Sequence, residues 1–397
     1  MNIEQEVIQS VIAVLLLVGV GRILGMLCSR FGFPEIIGYV VTGIVLGPYA
    51  IGGQIALFDE PLIRLEGLLA VFSQIAAIII LFAAGLHFTF DDLKKVGPRA
   101  GIVSGIEFLL SVSIAYYVCI LFGLDWTVAA IIATTFGATS IAVSTTVLEG
   151  LGKTKNKEAK LLVNVAILDD ILGLAVLSAV VALILSNSVF DFGSVLFSTA
   201  KALGFWLLLV VGAVFFLPKM MVLLKHKGTM ATTDVTVIGS AFGFASIAGL
   251  LGLNPIVGAF AAGMGLASSH IGKHVREYVG TLKYVAAPLF FAVIGAHVDL
   301  NNIWNLSPLL FLALLLAAVS TKIFGSGLPA SILLKSKNSG FKVGFGMVAR
   351  SEVAFITAGV GISSGIIDNG IYSTLTFVIL STIFISPILL RIAYFKK

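Results

Sequence analysis

The chain has 397 residues, of which 58% are hydrophobic and only 11% charged, against about 25% charged in soluble domains. That much apolar surface cannot be hidden in one aqueous core, so a soluble globular protein is excluded and an all-α polytopic membrane protein is expected. The net charge of +5 is scattered over short connections between apolar runs, which speaks for orientation in a bilayer and against nucleic acid as a partner.

Taking about 20 apolar residues per crossing, thirteen transmembrane helices are predicted, near 6–27, 33–50, 66–87, 100–122, 127–149, 158–186, 194–218, 231–251, 254–268, 280–298, 306–333, 340–366 and 370–392. Glu4 and Glu6 stand where a signal peptide would be basic and no small-residue cleavage site follows, so the first helix is expected to be retained. Cys28 and Cys119 lie in apolar surroundings without metal-ligand spacing, so neither a disulfide nor a zinc site is expected. His87, at the end of span three, and His297, at the end of span ten, are read as capping or packing residues rather than pH sensors. Span four holds a lone acid, Glu107, taken to face outward or toward a scaffold and left out of the site.

Span five carries Thr134, Thr135, Thr139, Ser140, Ser144, Thr145 and Thr146, a hydroxyl density that weakens a helix and supplies oxygen ligands. The plainer reading of any one of them is contact between helices through small residues. Span six holds adjacent acids, Asp169 and Asp170, inside an otherwise apolar run. A carboxylate near a bilayer centre costs roughly 2.5–3.5 kcal/mol on the lenient scale, so the pair is a functional signal. Asn164, on the same helix, either lines the core or makes an interhelical hydrogen bond.

Span eleven contains a single cation, Lys322, which pairs with one aspartate if the two helices face each other and leaves the other carboxylate for an ion. Its alternative is a lysine snorkelling to the interface. Span twelve is interrupted by Arg350 and Glu352, which either mark an unwound segment or simply pair nearer the surface. Two discontinuous helices, spans five and twelve, are thus expected in corresponding places of the chain.

Alternate connections carry the basic residues, among them Lys94, Lys95, Lys153, Lys157, Lys225, Arg276 and Lys337, while the opposite set offers Asp59, Glu60, Asp125, Asp191, Asp299 and Asp368. The basic set is placed in the cytoplasm, so an odd span count puts the N-terminus outside and the C-terminus inside. Few residues follow the last helix, and no soluble regulatory domain is expected.

The halves repeat. Gly32, Gly38 and Gly43 lie in register with Gly252, Gly258 and Gly263, and Gly85-Leu86-His87 answers Gly295-Ala296-His297 one span later. Matching helices stand seven spans apart, an odd number, so the repeats have inverted topology, the architecture of secondary transporters with ion sites near the midplane.

The Asp169-Asp170 pair, the Thr139-Ser140 segment one helix earlier, Lys322 in span eleven and Arg350-Ser351-Glu352 in span twelve resemble monovalent cation:proton antiporter family 2, most of all its NapA-type sodium/proton antiporters. The resemblance extends over essentially the whole chain and implies an NhaA/NapA-like fold and a homodimer in a prokaryotic plasma membrane. It implies a dimerisation scaffold from 1–99 and 231–299, an ion-transporting core from 100–186 and 306–397, and a linker helix at 194–218. In that likeness Asp170 is the ion-binding carboxylate, Asp169 the partner of Lys322, and Thr139 and Ser140 supply oxygens at the crossing. Arg350 and Glu352 match the charged pair that stabilises the core or adjusts the pH response. Potassium-efflux relatives of the Kef type usually carry Gln-Asp at the acidic pair and add a nucleotide-binding domain, so the sodium branch is favoured.

Function follows as exchange of cytoplasmic sodium or lithium for external protons by alternating access, with Na+ and H+ as cargo and no cofactor. Proton release by Lys322 would exchange two protons per sodium, and electrogenic transport is the expectation; each 100 mV would then contribute about 2.3 kcal/mol per cycle. A channel lacks a filter motif here, a sodium-coupled organic-anion symporter would want more polar side chains around a larger cavity, and no nucleotide loop or paired nucleophile and base suggests an enzyme.

Overall fold

The computed structural model describes residues 3–58, 60–87, 97–185, 192–227, 230–267, 269, 272–299 and 308–395. Among them fifteen α-helices follow one another: α1 (Ile3–Arg30), α2 (Glu35–Leu46), α3 (Leu68–Gly85), α4 (Gly97–Leu121), α5 (Trp126–Thr135), α6 (Ile141–Gly150), α7 (Lys157–Leu185), α8 (Phe192–Lys227), α9 (Met230–Leu250), α10 (Pro255–Ala267), α11 (Gly272–Ala296), α12 (Pro308–Leu333), α13 (Lys337–Gly346), α14 (Glu352–Ser363) and α15 (Asn369–Phe395). The remaining regular structure is a 3-10 turn at Ile51–Gln54 and a two-stranded antiparallel ribbon, β1 (Ala56–Leu57) with β2 (Glu60–Pro61), between α2 and α3.

Among the described residues ten helical segments are long and apolar enough to cross a membrane, α2 being counted together with the 3-10 turn that carries it to Gln54. The predicted spans five, nine and twelve are the exceptions: α10 is short, and the other two are broken into α5 with α6 and α13 with α14. Apolar side chains such as Leu15, Leu109, Phe215 and Leu316 are more than half exposed, which suits hydrocarbon as the outer solvent. Helices outrun their apolar segments: α11 begins at Gly272, ahead of the predicted 280, because Lys273, Arg276 and Glu277 are adequate helix formers and carry it past the membrane edge.

The chain divides into two compact units. One comprises residues 1–30, 38–95 and 178–296; the other 31–37, 96–177 and 297–397, so α7 contributes to both. In the first unit the repeat is visible as backbone contact. A Cβ at Gly43 on α2 would lie 1.8 Å from the Ala292 carbonyl oxygen on α11, and one at Gly263 on α10 would lie 2.3 Å from the Phe82 oxygen on α3. Thus α2 meets α11 as α10 meets α3, the exchange that a two-fold axis between inverted repeats produces. Gly32 after α1 and Gly252 after α9 both take positive φ, 77° and 76°, ending their helices in the same way. Asn254 then accepts a hydrogen bond from Ile256 N at 3.1 Å, and Pro255 opens α10 at a position where its missing N–H costs nothing.

An apolar cluster of α3, α8, α9, α10 and α11, including Phe82, Ala213, Leu217, Ala241, Ala262 and Val279, fills the first unit. The predicted linker helix α8 is therefore packed through Ala213, Leu217 and Met221. In the second unit Val103, Leu162, Val165, Ala330, Val343 and Met347 join α4, α7, α12 and α13.

Candidate functional site

The second unit is built around two interruptions. Helix α5 stops at Thr135, where Phe136 N turns back to Ala133 O at 3.0 Å, and the chain runs unwound until Ile141 opens α6. Helix α13 stops at Gly346, and α14 restarts after Ser351, whose hydroxyl accepts from Val353 N at 3.2 Å. An interruption in a buried helix leaves backbone groups that something must satisfy. Here the two breaks satisfy each other: Ser140 N donates to Ala349 O at 2.8 Å, and Ser144 Oγ donates to Gly346 O at 2.5 Å. Arg350, 2% exposed, reaches back across the crossing to donate to the carbonyls of Phe136 and, at 2.9 Å, of Ala318 on α12. Its guanidinium lies 5.0 Å from the Phe136 ring centroid, a cation–π contact.

Lys322 of α12 is completely buried beside this crossing. Its ammonium has three hydrogens to place, and three acceptors surround it: Gly137 O at 2.6 Å, Glu107 Oε1 at 2.7 Å and Asp169 Oδ2 at 3.1 Å. Gly137 belongs to the unwound link after α5, so the break itself frees the carbonyl that the ammonium uses. Asp169, also fully buried, accepts from Ser104 Oγ at 2.7 Å through Oδ1 and from Thr139 Oγ1 at 3.0 Å through Oδ2. Charges can be kept away from water only when paired and hydrogen-bonded in this way, since stripping one partner from a buried pair costs about 3–5 kcal/mol.

Asp170 stands one residue on, a rotation of about 100° round α7, and is half-buried where Asp169 is wholly enclosed. The adjacent acids thus occupy different environments. Ser140 lies at the crossing, but its hydroxyl is engaged as an acceptor from Val143 N at 3.4 Å at the start of α6. The side chain of Glu352 lies outside the described residues. His297 packs against the Tyr372 ring, with centroids 5.7 Å apart, and His87 N closes the end of α3 on Ala84 O at 3.1 Å. Asn164 lines, with Thr145, Thr154 and Lys160, a cavity of about 350 Å³ beside α6 and α7.

Glu107 is the residue that the sequence reading passed over. It is fully buried near the middle of α4, ion-paired with Lys322 and accepting from Ser111 Oγ at 2.5 Å. The outward-facing placement is corrected accordingly: α4 turns this acid toward α12, because Ser104, Glu107 and Ser111, three and four residues apart, share one face. That polar stripe in an apolar helix was the available signal.

Among the described residues no group of three or more His, Cys, Asp or Glu gathers with metal-holding geometry. Carboxylates, hydroxyls and carbonyls dominate instead, a donor set suited to a hard monovalent cation. In this structure the Lys322 ammonium occupies one of those oxygens, Asp169 Oδ2.

Comparison with known proteins identifies the family and the fold. A family model described as "Sodium/hydrogen exchanger, transmembrane" matches residues 12–396. The Na(+)/H(+) antiporter of Enterococcus hirae is 30% identical over 388 residues, covering 97% of this chain and 98% of that protein. The Na(+)/H(+)-K(+) antiporter GerN of Bacillus cereus is 28% identical over 377 residues, covering 95% and 94%. The solved structure of the sodium proton antiporter MjNhaP1 from Methanocaldococcus jannaschii at pH 8 superposes with a TM-score of 0.76 at 18% identity, over 98% of this chain and 99% of that one.

Proposed function

We infer, from the premise that this chain belongs to the sodium/hydrogen exchanger family, that it moves sodium or lithium out of the cytoplasm in exchange for external protons. The observation that carries the reading is the buried contact of Lys322 with Asp169, 3.1 Å long and seated where the two broken helices cross. A transporter needs a site whose occupants exclude one another, and here cation, proton and ammonium all seek the same carboxylates.

In the proton-loaded state Asp170 is neutral and Asp169 holds Lys322. A sodium ion displaces the proton from Asp170, takes Asp169 from the ammonium and gains oxygens from the crossing, with Thr139 the nearest hydroxyl to Asp169 on the unwound link. The core crosses only with its charge compensated, because a bare carboxylate meets the hydrocarbon barrier. Arg350 holds the crossing together, and Glu352 is assigned to the same stabilising or pH-adjusting role. Residues 100–186 and 306–397 form the moving core, 1–99 and 231–299 the scaffold through which two copies pair, and the protein sits in a prokaryotic plasma membrane with its N-terminus outside.

The membrane potential separates two stoichiometries. If Lys322 gives up its proton when sodium takes Asp169, two protons cross per sodium and one net charge moves, as expected from the sequence. If the ammonium remains charged on Glu107, the exchange is one for one. The 2.7 Å contact of Lys322 with Glu107 favours the second. A potassium-carrying variant of the same exchange is the second reading, favoured by the name of the Bacillus cereus relative.

The test is internal pH in proteoliposomes on addition of sodium, lithium or potassium, with the potential first clamped and then varied. Sodium-dependent proton movement supports the exchange reading, dependence on potential selects the charge-moving stoichiometry, and movement with potassium alone selects the second reading. No cation-driven proton movement would overturn both.

A further inference from the structure

We propose that Glu107 is a positioning residue of the exchange, a second carboxylate that keeps the Lys322 ammonium when sodium takes Asp169 and thereby sets the affinity for sodium. This rests on the exchange reading above and deepens it.

The argument starts from what sodium has to displace. Lys322 is fully buried, so an ammonium that loses Asp169 cannot turn to water. With Gly137 O alone it would be an almost unpartnered buried charge, and the sodium ion would have to overcome that cost at each binding event. Glu107 removes the difficulty. Its Oε1 is already 2.7 Å from Nζ, closer than Asp169 Oδ2 at 3.1 Å. Loss of Asp169 therefore asks for a small shift of the ammonium and no search for a new partner.

The geometry of Glu107 suits a fixed acceptor. Ser111 Oγ donates to the same Oε1 at 2.5 Å and stands 3.0 Å from Thr321 Oγ1 on α12, one residue before Lys322. Ser111 Oγ from its own helix and Lys322 Nζ from α12 thus converge on Oε1 and fix the carboxylate between the two helices. Ser326 Oγ bonds the Lys322 carbonyl at 2.5 Å and steadies the helix from the other side.

Charge balance points the same way. Among the described side chains around the crossing, two buried acids, Glu107 and Asp169, face two buried cations, Lys322 and Arg350. Arg350 is held by the carbonyls of Phe136 and Ala318, so without Glu107 a single fully buried carboxylate among the described side chains, Asp169, would answer two buried positive charges. Lys322 would then cling to Asp169, and sodium would compete against the full strength of that pair.

Neutralising Glu107 should therefore weaken sodium without removing the ion's own ligands. A hydrogen bond to a charged group is worth enough that its loss corresponds to roughly ten- to hundredfold in an equilibrium constant. In proteoliposomes at fixed pH and clamped potential, Glu107→Gln should raise the sodium KM by about that factor and leave the maximal rate within about twofold. Glu107→Asp keeps the charge but draws it back by one methylene, and should fall between the two proteins. The Asp variant carries the test if the Gln variant does not yield folded protein. A maximal rate that falls with an unchanged sodium KM in either variant would overturn the proposal, as would a Glu107→Asp protein no better than Glu107→Gln. Failure of the exchange reading is distinguishable, because it removes cation-driven proton movement from the unsubstituted protein.

Discussion

The two units use crossing helices to opposite ends. In the first, α2 on α11 and α10 on α3 meet through glycine, close enough that a single added carbon would overlap a carbonyl oxygen. In the second, the crossing is made by unwinding: α5 and α6, α13 and α14 give up helical hydrogen bonds and take them back from each other, from Arg350 and from Lys322. Backbone-to-backbone packing has one arrangement and nothing to titrate or displace. A crossing held by ammonium, guanidinium and carboxylates has charged contacts, which on the proposed exchange a small cation replaces. On that proposal the close-packed crossing is the rigid one and the polar crossing the exchangeable one.

The largest effect is expected where the rigid crossing is broken. Gly263→Val would place its Cβ within 2.3 Å of Phe82 O and near the Gly85 backbone; backbone cannot move aside cheaply, so folded protein should be absent when yield is followed by size-exclusion chromatography. Gly243 of α9, in the same unit, is the control, since a Cβ added there would meet nothing within 4 Å. Gly243→Ala should fold at least as well as the parent, helix propensity favouring alanine by about 1 kcal/mol. Equal yields from the two would sink the rigid reading.

The second effect falls on transport alone. Asp170→Asn keeps size and removes the exchangeable charge, and since Asp170 is half-buried the fold should survive while sodium-driven proton movement disappears. Normal exchange by this variant would remove Asp170 from the site. Lys322→Ala comes third. It leaves Glu107 and Asp169 without their shared cation, so the melting temperature should drop, as expected from the roughly 3–5 kcal/mol cost of stripping a buried pair. Exchange should weaken at least tenfold, about 1.4 kcal/mol in barrier, or lose its coupling, seen as sodium flux without matching proton flux. Full coupled exchange would show that the ammonium only fills space.

How much of this was legible beforehand depends on which dimension carries the signal. Span count is one-dimensional, a matter of apolar length, and the thirteen predicted spans correspond to the ten long helices, the short α10 and the two broken ones. The breaks were legible because hydroxyls and charges interrupt an apolar run at Thr139, Ser140, Arg350 and Glu352. The approach of Lys322 to Asp169 could be guessed because few other intramembrane charges were available. Glu107 was half legible: Ser104, Glu107 and Ser111 mark one polar face of α4, but a stripe on one helix does not say which neighbouring helix it meets. Gly137 O could not be placed, being an acceptor that exists only because the chain unwinds there. Composition announces that a helix breaks and leaves unsaid which carbonyl the break frees.

The smallest expected effect tests whether the polar crossing depends on the caps of its broken helices. Asp125, in the connection before α5, accepts from Thr127 N at 3.0 Å and from Thr127 Oγ1 at 2.6 Å. Those hydrogen bonds, led by the Thr127 hydroxyl, hold its carboxyl below the usual aspartate value. A carboxyl lowered by folding stabilises the folded state above its unfolded value, and that contribution is lost as pH falls through the folded value. Asp125→Ala should therefore melt below the parent at neutral pH, by a margin that narrows as the solution is acidified past the ordinary aspartate range, with both proteins compared in the same detergent. Because the cap is exposed while the crossing is buried, exchange by the variant should stay near the parent rate. A margin independent of pH would assign Asp125 to packing, and a large loss of exchange would mean that α5 needs its outer cap to hold Gly137 and Thr139 against the lysine and the aspartate, tying the exchangeable crossing to its surface in a way that the buried contacts alone do not require.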